Sequence, residues 1–231
     1  MLWACLLYTS GAPEFLVIAA EHQTKGKGRM GRSFYSPQGT GIYFTVVLRP
    51  KMPIDDALYI TASASVAVAS AIEEVCGKKA GIKWVNDVFV GGKKVCGILT
   101  EASIDMESGS LAYAVLGIGV NVAPPEGGFP EELTGIADCV YSGGEYTSGT
   151  RGRLMAKILD NFYELYSVFP EKAFLDEYRS RSTLIGSTVN VFRGDETYQA
   201  HVTGIDDMCR LIVNRDGQEI ALNSGEVRVR L

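Results

Sequence analysis

Residues 55–76 form an alanine-rich stretch that is apolar on nearly every side of a helix. Because such a helix has no face for water, it is buried in the core of a folded domain. Strands are predicted by runs of apolar, β-branched and aromatic residues, at residues 15–20, 41–48, 82–90, 94–102 and 111–122. The first of these runs is continuously apolar, which predicts a buried strand.

The second half of the chain changes character twice. Residues 123–150 are rich in Gly, Pro and Ser, which predicts an irregular connection. Apolar residues then recur at helical spacing from Leu154 to Phe169, and Pro170 ends this helix before a shorter one that runs to about residue 179. Beyond Gly186 a small barrel is predicted by short strands at residues 188–192, 197–205, 211–214, 219–222 and 226–231.

Composition limits the classes of protein to consider. The chain has 231 residues, 46% of them hydrophobic, which suits one large domain or one domain with a smaller one. Its net charge of −5 argues against a general nucleic-acid-binding surface. The five cysteines are widely spaced, without a C-x-x-C pair, which indicates free thiols and a cytoplasmic location. No apolar run reaches about 18 residues, so we expect no transmembrane helix.

The segment from Lys25 to Arg32 reads KGKGRMGR, with four cations, three glycines and no acid. Glycines let a backbone turn tightly and approach a ligand closely. Arg and Lys side chains and backbone N–H groups bind phosphate or carboxylate oxygens. A basic run is usually a solvated surface, but such a surface has no need of three glycines. We therefore interpret this segment as an anion-binding loop.

The glycine spacing of this loop also matches the G-x-G-x-x-G pattern, but the surrounding sequence fits neither class of protein that uses it. A dinucleotide site needs a helix after the glycines and an acid about 20 residues further on. Residues 33–37 (SFYSP) cannot open a helix well, and the next acid is Asp55. The His-Arg-Asp and Asp-Phe-Gly motifs of protein kinases do not occur in the sequence.

Residues 83–87 (KWVND) place a cation, an amide and a carboxylate close together. In an extended segment, Lys83 and Asp87 would lie on one face and Asn86 on the other. Taken alone, the charges are typical of a surface ion pair. Beside phosphate-binding cations, the Asp87 carboxylate is a candidate ligand for Mg²⁺.

Two later strands carry residues that a plain core strand does not need. Alternation puts Lys93 and Lys94 on opposite faces, so only one of them can face a pocket. A lysine there usually protects a sheet edge. Residues 117–122 (GIGVNV) put glycines into a strand, which they weaken unless a ligand or another backbone comes close.

Together these strings resemble the biotin–protein ligase family closely, in order and in spacing. The matching strings are residues 20–24 (AEHQT), 26–32 (GKGRMGR), 36–37 (SP), 83–87 (KWVND), 94–99 (KVCGIL), 117–121 (GIGVN) and 224–227 (SGEV). The resemblance implies an α+β fold. A catalytic domain with a mixed β-sheet and flanking helices would span residues 11–183, and a small SH3-like barrel residues 184–231. We interpret residues 1–10 as a non-native or truncated start.

The resemblance implies an ATP-dependent ligase that activates biotin as biotinyl-5′-AMP. The biotinyl group is then transferred to a lysine of a biotin carboxyl carrier protein domain of a biotin-dependent carboxylase. ATP, Mg²⁺ and biotin are the implied ligands, and a homodimer is a further expectation. Neither a membrane nor a nucleic acid is expected as a partner of this chain. Because two anions meet in the first step, cations at their junction lower the barrier.

The resemblance also assigns roles to individual residues. The implied catalytic residues are Arg29, Lys83 and Lys94. Biotin binding is implied for Gln23, Lys27, Gly28, Arg29, Lys94 and Gly97. ATP binding is implied for Arg29, Arg32, Phe34, Lys83, Asn86, Asp87 and Asn121. Among these, Phe34 would lie against the adenine, Lys94 would hold the reacting carboxyl oxygen, and Asp87 would be the Mg²⁺ ligand. No covalent enzyme intermediate is implied, so the cysteines are expected to be core thiols.

The sequence departs from the family pattern at three places. Lys27 stands where arginine is commonest, and Val85 replaces the usual proline. The family's Ser/Thr-Thr-Asn string, which contacts the ureido ring of biotin, is not found before Gly11, so we expect one wall of the biotin pocket to be incomplete. The alternatives are a lipoate–protein ligase and, if a DNA-binding domain precedes this chain, a repressor that responds to biotinyl-AMP.

Overall fold

Two antiparallel sheets organise the chain, one before residue 122 and one after residue 187. The structure is a computed structural model that describes residues 11–141, 146–147, 149–223 and 227–230. The expectations for residues 1–10 and for most of the string at 224–227 lie outside the described residues.

The first sheet has six strands, and all of its named strand pairs are antiparallel. The strands are β1 (Val17–Ala20), β2 (Gly41–Leu48), β3 (Ala80–Lys83), β4 (Asp87–Val90), β5 (Lys93–Ile104) and β6 (Leu111–Asn121), in the order β1-β2-β6-β5-β4-β3. Parallel pairing occurs among the described residues only at two isolated bridges, Ile82–Ser182 and Lys94–Ala137. The α+β class is confirmed, whereas the expectation of a mixed sheet is wrong for the described strands, because every strand pair in it is antiparallel.

The strand register brings three of the sequence motifs into one row. Asp87 on β4 is paired with Gly97 on β5, and Gly97 is paired with Gly119 on β6. Gly119 in turn faces Tyr43 on β2. Motifs that are far apart in the sequence therefore meet on one part of the sheet.

Helix α1 (Ala57–Cys76) is the buried helix expected from the sequence, and its core positions include the polar residues Thr61, Ser63 and Ser65. The hydroxyl of Ser63 donates a hydrogen bond to the Tyr59 carbonyl at 2.7 Å. That of Ser65 donates to the Thr61 carbonyl at 2.8 Å, so both hydroxyls are satisfied within the helix. By length and composition alone the segment Ile54–Cys76 could cross a membrane, but most of it is buried inside the protein, as in a core helix.

Strand β1 corrects a second expectation. Val17 and Ile18 are half-buried, while Ala19 and Ala20 are exposed. The prediction of a buried strand is wrong because β1 lies at the edge of the six-stranded sheet as described, paired with β2.

Two further helices follow the six-stranded sheet along the chain. Helix α2 (Thr150–Ser167) buries one stripe of side chains, Leu154, Ile158 and Phe162. A short 3₁₀ turn at Phe169–Glu171 separates it from helix α3 (Leu175–Ser180). The amphipathic helix and its shorter successor are therefore confirmed.

The second sheet forms the small all-β domain that the sequence predicts. Its strands are β7 (Thr188–Arg193), β8 (Glu196–Ile205), β9 (Leu211–Arg215), β10 (Gln218–Leu222) and β11 (Val227–Arg230), in the order β10-β9-β8-β7-β11. Residues 206–210, which we call the C-terminal loop, connect β8 to β9 and contact the first domain.

Candidate active site

A cavity of about 810 Å³ opens on the first domain where β4, β5 and β6 lie side by side. This volume lies within the usual range for small-molecule sites, about 300–1,000 Å³. All the residues that the resemblance assigns to the site line this cavity: Gln23, Lys27, Gly28, Arg29, Arg32, Phe34, Lys83, Asn86, Asp87, Lys94, Gly97 and Asn121. Their proximity agrees with the sequence analysis, while their individual roles stay predictions.

The basic loop folds back on itself as a narrow hairpin along one wall of the cavity. Phe34 N donates to the Gly26 carbonyl at 2.9 Å, and Gly28 N donates to the Arg32 carbonyl at 2.7 Å. A Cβ atom at Gly26 would collide with the backbone oxygen of Phe34, which explains the glycine there. Gly31, near the tip, has a φ of 75°, which glycine adopts without strain.

Gln23 lies at the base of this hairpin and is held by Ser36. Gln23 N donates to the Ser36 carbonyl at 3.2 Å, and Ser36 Oγ donates to Gln23 Oε1 at 2.9 Å. The serine of the Ser-Pro string therefore fixes the orientation of a residue that lines the cavity.

Arg29 is the most enclosed cation of the loop. Its Nη1 donates to Asn86 Oδ1 at 3.2 Å. Burial lowers the pKa of the Arg29 guanidinium, and the nearby Asp87 carboxylate acts in the opposite direction. Because a guanidinium keeps its proton in proteins, Arg29 places a partly desolvated positive charge at the cavity wall.

Lys27 differs from Arg29, because it lies at the exposed rim. Its Nζ forms an ion pair with Glu101 Oε1 at 3.4 Å, and the two side chains are 56% and 39% exposed. A screened pair of this kind stabilises a fold little. Lys27 can therefore leave Glu101 for a ligand at small energetic cost.

Residues 84–86 form a turn, not the extended segment that the sequence predicts. Strand β3 ends at Lys83 and β4 begins at Asp87, and these two residues are paired across the hairpin. The Trp84–Val85 peptide bond is cis. The expectation that Asn86 faces away from Lys83 and Asp87 is wrong, because the turn brings all three to the cavity.

Lys94 and Asp87 form an ion pair inside the cavity. Lys94 Nζ lies 2.7 Å from Asp87 Oδ1, and both side chains are mostly buried. The Lys94 ammonium is therefore the partner of the buried Oδ1 atom of Asp87. Lys93 points elsewhere and lies 3.5 Å from Asp138 Oδ2, in agreement with the alternation argument.

Gly97 and Gly119 form a flat floor on which the Phe34 ring lies. A Cβ atom at Gly97 would lie 3.0 Å from this ring, and one at Gly119 only 2.5 Å from it. The group that comes close to the strand glycines is thus an aromatic side chain of the chain itself. Phe34 also meets the Tyr43 ring edge-on, with centroids 6.4 Å apart.

One wall of the cavity was missed by the sequence analysis. It is lined by Phe129, Leu133, Ile136 and Ala137, from the segment interpreted as an irregular connection. The apolar side chains of Phe129, Leu133 and Ile136, spaced along a segment rich in Gly, Pro and acidic residues, were the available signal.

Backbone and side-chain hydrogen bonds hold this wall against the sheet. Lys94 N donates to the Ile136 carbonyl at 3.0 Å, and Asp138 N donates to the Lys94 carbonyl at 2.9 Å. Asn121 Nδ2 donates to the Asp138 carbonyl at 3.1 Å, so Asn121 also fixes the wall.

The described residues contain no group of three or more His, Cys, Asp or Glu side chains that could hold a metal ion. Among the described residues that line the cavity, Asp87 is the one that carries a carboxylate. A single carboxylate suits Mg²⁺ that arrives with a phosphate ligand, because Mg²⁺ is usually held by one or two carboxylates together with substrate phosphates.

Two family profiles match the chain. The profile of the biotin/lipoate A/B protein ligase family matches residues 7–121. The profile of the biotin protein ligase C-terminal domain matches residues 184–230. One profile thus falls on each of the two sheets.

Named relatives agree with these profiles. The chain is 34% identical over 205 residues to the bifunctional ligase/repressor BirA of Bacillus subtilis, a match that covers 87% of this chain and 62% of that protein. It is 28% identical over 217 residues to the biotin–[acetyl-CoA-carboxylase] ligase of Mycobacterium tuberculosis, covering 92% of this chain and 78% of that protein. The chain thus spans less than two thirds of the Bacillus relative's length.

A solved structure shows the same fold over nearly the whole chain. The biotin protein ligase from Aquifex aeolicus in complex with biotin and ATP superposes with a TM-score of 0.79 at 27% identity, covering 95% of this chain and 90% of that one. The two profiles, the named relatives and this structure lead to one conclusion. The chain belongs to the biotin protein ligase family.

Proposed function

We propose that this chain activates biotin as biotinyl-5′-AMP with ATP and transfers the biotinyl group to a lysine of an acceptor protein. The observation that carries the proposal is the convergence of Arg29, Lys83 and Lys94 on one cavity with a glycine floor. The names of the relatives as ligases, and the biotin and ATP bound to the Aquifex protein, support it.

The first half-reaction brings two anions together. An oxygen of the biotin carboxylate attacks the α-phosphorus of ATP, the bond to the β-phosphate oxygen breaks, and pyrophosphate leaves. Arg29 and Lys94 reach the cavity from the basic loop and from β5, respectively. Positive charges on both sides of the junction reduce the repulsion and stabilise the charge that develops on the phosphorus oxygens.

Biotin would lie between the glycine floor and the apolar wall. Gly97 and Gly119 leave the sheet open to a flat ligand, and Leu133 and Ile136 line the same cavity. The Phe34 ring occupies part of this floor, so we propose that it rotates away from the floor and stacks on the adenine of ATP. The biotin carboxylate would then replace Asp87 as the partner of Lys94.

In the second half-reaction the acceptor lysine attacks the carbonyl carbon of biotinyl-AMP as a neutral amine. A C–N bond forms, the bond between the carbonyl carbon and the phosphate oxygen breaks, AMP leaves, and the amine loses a proton to solvent. No cysteine is needed for this step. Burial raises the pKa of the Cys139 thiol to about 11 and that of Cys209 to about 12, which keeps both thiols protonated and unreactive.

We propose further that Mg²⁺ accompanies ATP and that Asp87 is its protein ligand. Asp87 carries the one carboxylate among the described residues that line the cavity, which supports this assignment. The ion would neutralise phosphate charge during transfer. Lys94 and Arg29 would still orient the two reacting groups.

The acceptor is proposed to be a biotin carboxyl carrier domain of a biotin-dependent carboxylase, as the name of the Mycobacterium relative suggests. A cytoplasmic location is proposed because the cysteines among the described residues, Cys76, Cys96, Cys139 and Cys209, are free thiols. The homodimer stays a prediction.

The test is pyrophosphate release by the purified chain with ATP and Mg²⁺, with biotin or lipoate as the acid. Biotin-dependent release, a biotinyl-AMP product and an acceptor domain made heavier by one biotinyl group are expected. Release that depends on lipoate alone would favour the lipoate ligase instead. The profile of the biotin protein ligase C-terminal domain favours biotin in this comparison.

A further inference from the structure

A hydrogen bond links the cavity wall to the second domain. The indole Nε1 of Trp84 donates to the Cys209 carbonyl at 2.9 Å, across 125 positions of sequence. Trp84 is only 7% exposed and belongs to the turn between β3 and β4. Trp84 lines the cavity, while its indole N–H group points to the C-terminal loop.

The same turn presents the polar groups that face the cavity. Asn86 accepts a hydrogen bond from Arg29 at 3.2 Å and donates one to the Ile98 carbonyl at 2.8 Å. Asp87 follows directly and pairs with Lys94 at 2.7 Å. Because Trp84 belongs to the same turn, its position affects where the Asn86 amide and the Asp87 carboxylate lie in the cavity.

The Cys209 carbonyl is itself held in place by the C-terminal loop. Cys209 has a φ of 58°, and its N–H donates to the Asp206 carbonyl at 3.0 Å. The Asp206 carboxylate accepts hydrogen bonds from the backbone N–H groups of Met208 at 2.9 Å and Arg210 at 2.8 Å. These hydrogen bonds fix the loop, so the Cys209 carbonyl is a preorganised acceptor for the indole N–H group.

We propose that Trp84 is a positioning residue through which the second domain holds Asn86 and Asp87 in the geometry that binds the nucleotide. The proposal rests on the proposed function, since it assigns these two residues to ATP. Through this bond the second domain contributes a backbone carbonyl that positions the active site, rather than a side chain within it.

The first test compares Trp84→Phe with Tyr59→Phe. The phenylalanine at position 84 keeps an aromatic ring and removes the indole N–H. Tyr59 donates to the Asp207 carbonyl at 3.0 Å, so its variant removes a hydrogen bond to the same loop from helix α1, away from the cavity. In biotin-dependent pyrophosphate release, we expect the KM for ATP to rise about ten-fold in Trp84→Phe, as loss of one hydrogen bond predicts, and kcat and the KM for biotin to change little.

A second variant weakens the Trp84–Cys209 hydrogen bond by a change in the second domain. Asp206→Ala removes the carboxylate that organises the loop, and it should raise the KM for ATP in the same way. An ATP KM within about two-fold of the parent value for Trp84→Phe, or an equal rise for Tyr59→Phe, would overturn the proposal.

Hydrogen exchange of the ligand-free protein separates this inference from the proposed function. Peptides covering residues 84–90 should exchange faster in Trp84→Phe and in Asp206→Ala than in Tyr59→Phe, at comparable melting temperatures. Equal exchange in all three variants contradicts the inference even if the enzyme is active. If the parent protein releases no pyrophosphate with biotin, the proposed function fails, and the exchange result still decides whether Trp84 holds the turn.

Discussion

Lys94 Nζ lies 2.7 Å from Asp87 Oδ1, and the two residues come from neighbouring strands. Lys93, one position earlier, pairs instead with Asp138 at 3.5 Å and is 46% exposed. The chain therefore offers two adjacent lysines, each beside an aspartate, of which Lys94 lines the cavity.

Lys94→Ala is expected to weaken biotin binding and to slow both half-reactions, because the variant removes the cation that would hold the carboxylate. Lys93→Ala is its matched control and should change neither by more than about two-fold, as a surface pair contributes little. Titration calorimetry with biotin and single-turnover transfer to the acceptor measure the two effects. A larger loss for Lys93→Ala would show that the assignment of the two lysines is reversed.

Arg29→Ala should slow adenylate formation by about 10²–10³-fold, the usual effect of removing a preorganised donor from a transition state. Its hydrogen bond to Asn86 is partly buried, so a small loss of stability is also expected. Arg29→Lys keeps the charge but loses the planar guanidinium group, so its rate of adenylate formation should lie between those of the parent and of Arg29→Ala. A rate of biotinyl-AMP formation equal to that of the parent would remove Arg29 from the catalytic residues.

Gly119→Ala is expected to destabilise the protein by about 1–3 kcal/mol through overpacking, because the new Cβ would lie 2.5 Å from the Phe34 ring. Biotin affinity should fall as well, since the floor is no longer flat. Gly204→Ala in β8 is the control, because a Cβ there meets no atom within 4 Å.

The double variant Phe34→Ala/Gly119→Ala tests the cause of that loss. If the ring is the clash, the two substitutions will be non-additive, and the double variant will recover part of the lost melting temperature. If the losses of melting temperature in the two single variants simply add, the strain does not come from contact between the Phe34 ring and the new Cβ atom.

Glu73 gives the fold an acid-sensitive contact. Its carboxylate lies 2.9 Å from Arg181 Nη1 and accepts a second bond from Nη2 at 3.0 Å. The hydrogen bond from Arg181 holds the pKa of Glu73 below its ordinary value of 4.5. Since the folded-state pKa is lowered, this contribution is present above the ordinary value and is lost as pH falls through the folded pKa.

Glu73→Gln should therefore lower the melting temperature at neutral pH, and the difference from the parent should shrink below pH 4.5. Glu74→Gln is the comparison, because Glu74 pairs with Lys157 at 2.8 Å but is 49% exposed. A smaller difference is expected there. Thermal melts across the acid range measure both, and a Glu73→Gln difference that does not depend on pH would contradict the prediction.

Local patterns predicted this structure well wherever a residue's environment follows from its own strand or helix. Alternation separated Lys94 from Lys93, and the pattern of residues 55–76 identified the buried helix α1. Alternation failed for Asn86, because it assumes that the chain stays extended. A turn at residues 84–86 reverses it, and nothing in the string KWVND marks that turn.

Tertiary contacts account for the other differences. The apolar wall around Ile136 is set by backbone hydrogen bonds to Lys94, more than 40 positions earlier in the sequence. Composition described the segment as irregular, which is correct for its backbone but says nothing of where its side chains lie. In the same way, the apolar run at β1 could not reveal that its strand lies at a sheet edge.

The hydrogen bond from Trp84 to Cys209 also bears on the order in which the molecule is built. The two residues are 125 positions apart, and contacts between such distant positions form late because closing a long stretch of chain is entropically costly. On a ribosome, the six strands of the first sheet emerge well before Cys209. We therefore expect that a nascent chain can assemble the cavity floor early, whereas the hydrogen bond from Trp84 forms only after the C-terminal loop has been synthesised.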